Sequence, residues 1–188
     1  MIKISTTKSK YILKILLVGE AAVGKTSLVQ RFVHNQFKEN YLLTVGMEPY
    51  TKIIELKEAN KDPIRLTLSI WDIAGQQRFQ IYRNVFYKGA HGVFLVFDLT
   101  RPASLTKLTK EWLPDVHQMT SPDLPSILIG NKADLEDKIM IDPEIDVDPV
   151  KKAANVSNYI ETSAKTGENV SEAFNALATE IVSVLNKR

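Results

Sequence analysis

Hydrophobic residues recur along the chain in two alternating patterns. Short, nearly continuous runs rich in β-branched and aromatic residues occur at Ile12–Val18, Ile53–Leu56, Leu66–Trp71, Val93–Phe97, Ile127–Ile129 and Tyr159–Ile160. Runs of this kind are expected of strands covered on both faces. Between them, helix-period segments cover Lys25–Asn35, Arg78–Lys88, Ala103–Met119 and Val150–Val156. The most regular helix is the last, where Val170, Ala173, Phe174, Leu177, Ile181, Val184 and Leu185 share one stripe at steps of three and four. Asn169, with Glu172 three residues on, predicts a side-chain cap at its start. Strands alternating with helices predict an α/β fold: a doubly wound, six-stranded, mostly parallel sheet with helices on both faces. One pair breaks the alternation. The polar stretch Lys57–Pro63 leaves no room for a helix, so its flanking strands should pair as an antiparallel hairpin and give the sheet one antiparallel edge strand. In such sheets ligands bind beyond the carboxyl ends of the strands.

Composition narrows the chemistry. The 188 residues suit one domain, spanning 11–188 behind a basic, flexible arm over 1–10 that carries Lys3, Lys8 and Lys10. With no cysteine, a disulfide framework, a thiolate zinc site and a catalytic thiol are all excluded. A net charge of +2 implies no nucleic-acid partner. The first apolar run is too short for a bilayer and is interrupted by Lys14. Between Asp134 and Asp148 seven acids face one base, Lys138; this reads as a solvated loop, because no calcium-loop pattern with its turn glycine is present. His34, His91 and His117 lack ligand spacing, and Trp112 reads as packing.

Directly after the first strand comes Gly19-Glu20-Ala21-Ala22-Val23-Gly24-Lys25-Thr26, which opens a helix that continues with Ser27. Glycines let the backbone curl so that successive N–H groups face an anion, and the helix N-terminus adds its positive end. Lys25 can reach the outer phosphates, and the Thr26 hydroxyl can bind Mg²⁺. After the third strand, Asp72 in Trp71-Asp72-Ile73-Ala74-Gly75-Gln76 can hold the magnesium shell. Gly75 permits close approach to a γ-phosphate, and Gln76 can orient an attacking water by donating and accepting at once.

The fifth strand ends in Asn131-Lys132-Ala133-Asp134 and the sixth leads into Ser163-Ala164-Lys165. A carboxylate at Asp134 can accept from guanine N1–H and the 2-amino group, whereas adenine would leave it unpaired, a contrast worth roughly 10⁴–10⁵ in selectivity. The Lys132 and Lys165 stems can sandwich the ring, and the Ala164 N–H can donate to the guanine carbonyl. The ligand expected from these elements is GTP or GDP.

Taken together, GEAAVGKTSLV (Gly19–Val29), WDIAGQQRF (Trp71–Phe79), YKGAHGVFLVFDLT (Tyr87–Thr100), NKAD (Asn131–Asp134) and ETSAK (Glu161–Lys165) resemble the Ras superfamily of small GTPases, most closely its Rab members. The resemblance covers about Lys10 to Arg188 and implies a P-loop NTPase fold of the Ras-like G-domain type. It also implies a GTP/GDP molecular switch with slow intrinsic hydrolysis, working in vesicle trafficking as a cytoplasmic monomer peripheral to membranes. Catalysis would fall to Gln76, Lys25 and Gly75. The nucleotide would be bound by Ala22, Val23, Gly24, Lys25, Thr26, Ser27, Phe37, Tyr41, Thr44, Gly75, Asn131, Lys132, Asp134, Ser163, Ala164 and Lys165, and Mg²⁺ by Thr26, Thr44 and Asp72. Within Phe37–Thr44, identified by similarity as the first switch, Phe37 would lean on the guanine and Tyr41 cover the phosphates; by its surroundings alone Phe37 reads as a core aromatic. Effectors, exchange factors and GTPase-activating proteins would read the switches.

The chain departs from that family in several places. Ala21 and Ala22 stand where many relatives carry glycine, Gln77 where the family usually has Glu, Ile73 where Rab members usually have Thr, and Pro49 near a Rab-typical aromatic. The Glu58–Pro63 turn is longer than usual. Rab members normally end in a tail with prenylated cysteines, whereas this sequence has no cysteine and has Ile2 where myristoylation would require a glycine; either a tail was removed, or membrane contact would fall to the basic arm or to a partner. Ala21 and Gln77 give some support to a different function, a GTP-binding scaffold with negligible hydrolysis. A P-loop ATPase or kinase is a third reading, opposed by Asp134.

Overall fold

The computed structural model describes residues 11–39, 44–57, 63–75, 83–121, 123–156 and 158–187. The N-terminal arm, Tyr41, Gln76, Gln77 and most of the hairpin turn lie outside them. Six strands form one sheet in the order β2-β3-β1-β4-β5-β6: β1 Tyr11–Val18, β2 Met47–Leu56, β3 Ile64–Ile73, β4 Gly92–Asp98, β5 Ser126–Asn131 and β6 Asn158–Thr162. Only β2 runs antiparallel, paired with β3 from Met47↔Ile73 to Leu56↔Ile64, and every other pairing is parallel. The α/β sheet with one antiparallel edge strand therefore stands as expected.

β2 begins six residues earlier than its apolar run suggests, and Pro49 sits inside it opposite Trp71. Proline lacks a ladder donor and is tolerated here because β2 is the edge of the sheet. The strand alternates between exposed and covered positions instead of forming a continuous apolar run, which is why only its last third is visible as one.

Two apolar layers enclose the sheet. On one face, α1 (Lys25–His34) and α6 (Val170–Leu185) pack Leu28, Val29, Phe32, Phe174, Leu177 and Ile181 against Leu13, Ile15, Leu17, Phe94 and Val96. The rings of Phe32 and Phe174 stack at 3.9 Å. On the other face, Tyr87 of α2 (Arg83–Tyr87), Leu105 of α3 (Pro102–Lys107), and Leu113 and Val116 of α4 (Leu113–Met119) cover Leu16, Val18, Leu95 and Phe97. Trp112 belongs to this second layer, as packing. Between α3 and α4 the helix widens into a π-turn at Leu108–Trp112, immediately before Pro114. Proline in a helix removes one backbone donor, so the expected single helix over 103–119 is three joined segments.

Three further details differ from expectation. The helix sought at Val150–Val156 is α5, Asp148–Ala154, preceded by a π-turn at Pro143–Val147. The acidic loop carries local structure there: the Asp142 carboxylate accepts from the Glu144 and Ile145 N–H groups, and Asp146 accepts from the Asp142 N–H. No cluster of three potential metal-ligating His, Cys, Asp or Glu residues occurs among the described residues. Asn169 does precede α6, but its backbone is left-handed (φ 54°) and its amide donates to Glu161 O at 2.8 Å, so it ties the helix to β6 rather than capping it.

His91 lies just before β4, beside β1. The Lys14 N–H donates to His91 Nδ1 at 2.9 Å, and the His91 N–H donates back to Lys14 O at 2.8 Å. Accepting at Nδ1 requires the neutral ring. Burial, and secondarily the Lys14 charge, hold its pKa below the usual 6.5. A lowered histidine pKa contributes stability that is present above the unfolded value and lost as pH falls through the folded one. The melting temperature of the GDP-loaded protein should therefore fall as pH drops from about 7.5 to 5.5, and His91→Asn, which keeps an acceptor without a titrating proton, should flatten that slope. Equal slopes for the two proteins would remove His91 from the account.

Candidate nucleotide site

Register brings the chemistry to one edge. Leu17 of β1 pairs with Asp72 of β3, Asp98 of β4 with Asn131 of β5, and Asn131 with Thr162 of β6. The loops leaving these carboxyl ends meet where parallel sheets bind ligands.

Side chains hold the carbonyls of the 19–24 loop. Lys25 is buried at the start of α1, and its Nζ donates to Gly19 O and Glu20 O, each at 2.9 Å. Asn131 Nδ2 donates to Val23 O at 2.9 Å. Gly24 is left-handed (φ 97°), and a Cβ there would collide with the Asn131 amide. Ala22 is also left-handed (φ 63°), without glycine's freedom, which costs about 1 kcal/mol. Ser27 lies half-buried in the first turn of α1. Across from the loop, Gly75 packs so closely that a Cβ would strike the Glu20–Ala21 backbone.

Three oxygens converge beside Lys25. Thr26 Oγ1 donates to Asp72 Oδ2 and lies 2.9 Å from Thr44 Oγ1, and Thr44 Oγ1 is 3.4 Å from the same carboxylate oxygen. Asp72 is fully buried, and its Oδ1 finds no hydrogen-bond partner among the described residues. Burial pushes its carboxyl pKa up against the opposing pull of Lys25. Hard oxygen donors around a buried, half-satisfied carboxylate fit Mg²⁺.

At the other end of the loop, Asn131 is the junction. Its Oδ1 accepts from Thr162 Oγ1 at 3.2 Å and from the Ala164 N–H at 3.3 Å. The Ser163 hydroxyl donates to Asp134 Oδ1 at 2.7 Å, orienting the carboxylate. Lys132 adopts a left-handed backbone (φ 72°) and reaches Asp98 Oδ2 at 2.5 Å. Lys165 is exposed, and its Nζ lies 3.9 Å from Glu39 in the segment after α1. Phe37, in that same segment, is half-buried and packs against the α1/α6 core layer. Of the residues expected at the site, Tyr41 and Gln76 lie outside the described set, Phe37 packs on the α1/α6 core layer, and the others lie in the segments around this edge.

Sequence reasoning missed several supports. Arg31 of α1 donates to Ala164 O (2.9 Å) and Lys165 O (2.6 Å), bracing the loop after β6 from behind. Arg101 is equally silent, while Asp98 and Thr162 lie inside motifs of the resemblance that do not reveal the contacts they make. Asp98 carried a weak signal, an acid closing a fully apolar strand.

The Ras family profile matches residues 14–183 of this chain. The chain belongs to the Ras family. It is 39% identical over 172 residues to Ras-related protein Rab-1C of Dictyostelium discoideum, covering 90% of this chain and 81% of that protein. Rab-8B of Homo sapiens is 36% identical over 179 residues (95% and 82%), and Rab-1 of Theileria parva 37% over 170 (89% and 73%). The chain is thus a Rab-like small GTPase, a switch of vesicle trafficking that binds GTP or GDP with Mg²⁺, hydrolyses GTP, and interacts with regulators and effectors. Its membership in a family of hydrolases does not favour the scaffold reading.

Asn131 ties the loops of this small GTPase together, so its loss should be felt in nucleotide release. Asn131→Ala removes one donor from Val23 O and an acceptor shared by two groups, each buried group left unmade costing about 1–3 kcal/mol. GDP should dissociate at least about tenfold faster in a displacement assay.

Proposed function

We propose that GTP lies with its phosphates in the 19–26 cradle and its base between Lys132 and Lys165, and that Gln76 orients the water that attacks the γ-phosphate. The observation that carries this reading is the convergence of the Thr26 and Thr44 hydroxyls on Asp72, whose second oxygen is buried and unpaired, next to Lys25. Thr26, Thr44 and Asp72 would hold Mg²⁺, which when bound neutralises charge on the phosphate oxygens.

The chain's own residues then divide the work. Ala22, Val23, Gly24, Thr26 and Ser27 offer backbone N–H groups to the phosphates. Lys25 releases the loop carbonyls it holds and takes up the outer phosphates as a point charge. Gly75 donates its N–H to the γ-phosphate, and its lack of a Cβ permits that approach. Asp134 accepts from the guanine edge, Asn131 and Ser163 keep the surrounding loops in place, and the Ala164 N–H turns from Asn131 to the guanine carbonyl. Phe37 leans on the base and Tyr41 covers the phosphates. Loss of the γ-phosphate frees Thr44 and Gly75, and that release is the switch.

At the level of the cell, the proposal is a cytoplasmic monomer that acts peripherally at membranes, with its switches read by effectors, exchange factors and GTPase-activating proteins. Among the described residues no helix is long and apolar enough to cross a membrane. Single-turnover hydrolysis of preloaded GTP tests the catalytic assignment. Gln76→Leu should slow phosphate release by at least about tenfold, in the range of general positioning effects. An unchanged rate would take Gln76 out of the mechanism.

A further inference from the structure

Arg101 stands at the N-terminus of α3, three residues beyond the end of β4, outside every motif that identifies the family. Its guanidinium reaches back to the phosphate loop. Nη2 donates to Ala21 O at 3.0 Å and lies 3.6 Å from Glu20 Oε2, while Nε lies 3.3 Å from Asp98 Oδ2. Asp98 is 1% exposed; its Oδ1 is held by the Thr100 N–H and hydroxyl, and its Oδ2 also meets Lys132. Glu20 is gripped from its other side by Lys107 Nζ at 2.5 Å. The charges alternate along one chain, Lys107, Glu20, Arg101, Asp98, Lys132, from the phosphate loop to the lysine of the base-binding motif.

We propose that Arg101 is a positioning residue for the outer bend of the phosphate loop, pinning the Ala21 carbonyl so that the loop's γ-phosphate end keeps its shape. Three features of the loop lead there. Its carbonyls at Gly19 and Glu20 are held by Lys25, the side chain that a nucleotide would draw away. Val23 O is held by Asn131. Ala21 O is held by Arg101, so among the described residues Arg101 and Asn131 grip the loop without competing with the phosphates. A peptide whose carbonyl is fixed outward has its neighbouring N–H fixed inward. Ala21 is also the residue on which Gly75 packs, which puts this grip at the γ end of the cradle.

An exposed ion pair contributes little to folding, and Arg101 is 40% exposed, so the geometry it imposes matters more than its contribution to stability. The fork is specific to arginine: a lysine ammonium cannot face Ala21 O and Asp98 together. With Arg101 removed, Asp98 keeps Lys132 and Thr100, so its carboxylate is not stranded.

The inference rests on the placement of the γ-phosphate beside Gly75 proposed above. Dissociation of GDP and of a non-hydrolysable GTP analogue is measured from the Mg²⁺-loaded full chain, for wild type, Arg101→Ala and Arg101→Lys. Arg101→Ala should speed release of the triphosphate analogue by about tenfold, as for loss of one charge-assisted hydrogen bond, and that of GDP by clearly less. Arg101→Lys should recover part of the difference, and it carries the test alone if the alanine variant does not fold. A triphosphate-to-diphosphate ratio equal to wild type overturns the role of Arg101 while leaving the site intact. A wild-type protein that holds neither guanine nucleotide overturns the site, and this inference with it.

Discussion

A single buried amide holds three loops in register. Asn131 ends β5 at the centre of the sheet's carboxyl edge, donates to the phosphate loop at Val23 O, and accepts from Thr162 and Ala164 on the base side. It is 1% exposed, so no water competes for these bonds. Gly24 must lack a side chain because this amide occupies the space. The phosphate loop leaves β1 and the base loops leave β5 and β6, so their relative placement is set by strand pairing and then locked by this one side chain. The parallel pairing of β4 with β5 and of β5 with β6 is therefore as much a part of the site as the motifs are.

The two ends of the nucleotide site are braced in different ways. The base end is braced by the hydrogen bonds of Asn131 and Ser163 and by Arg31 reaching from α1 to the Ala164 and Lys165 carbonyls. The phosphate end is braced by charge. Lys25 and the ionic chain through Arg101 act on carbonyls of the 19–24 loop. Curled loops of this kind form anion-binding concavities from successive backbone N–H groups. Ala22 retains its left-handed backbone against its own preference, which shows how strongly the surroundings determine the loop's path.

Much of this was legible in the sequence, for a physical reason. Strands covered on both faces must be apolar throughout, so β1, β4 and β5 stand out as runs; β2, at the edge with one face to solvent, shows only its last third. Loops that must curl around an anion demand glycine and a cation at fixed spacing, so Gly19 to Thr26 was readable. The supports were not, because a residue that holds a carbonyl from a distant element needs only reach and a donor. Arg31 and Arg101 carry no local pattern. Asn169 misled for a related reason: its position before α6 fits a cap, but the Glu161 carbonyl is the acceptor its amide takes. Lys14, an interruption in an otherwise apolar run, is explained by the surroundings of β1. Its ammonium lies 3.7 Å over the Trp71 ring and donates to Lys88 O.

Of the departures from the family pattern, Pro49 lies on the edge strand β2, whereas Ile73 directly follows Asp72 at the end of β3. Pro49 and Trp71 face each other across β2 and β3, and Val45 and Ile53 on or beside the same edge strand are exposed. An edge strand tolerates proline and one-sided changes because half its backbone groups and one of its faces answer to solvent. The interior strands have no such freedom: a change at Asp98 or Asn131 alters a buried polar group with several partners at once. The architecture thus separates a core constrained by buried hydrogen bonds from an edge whose residues are free to vary.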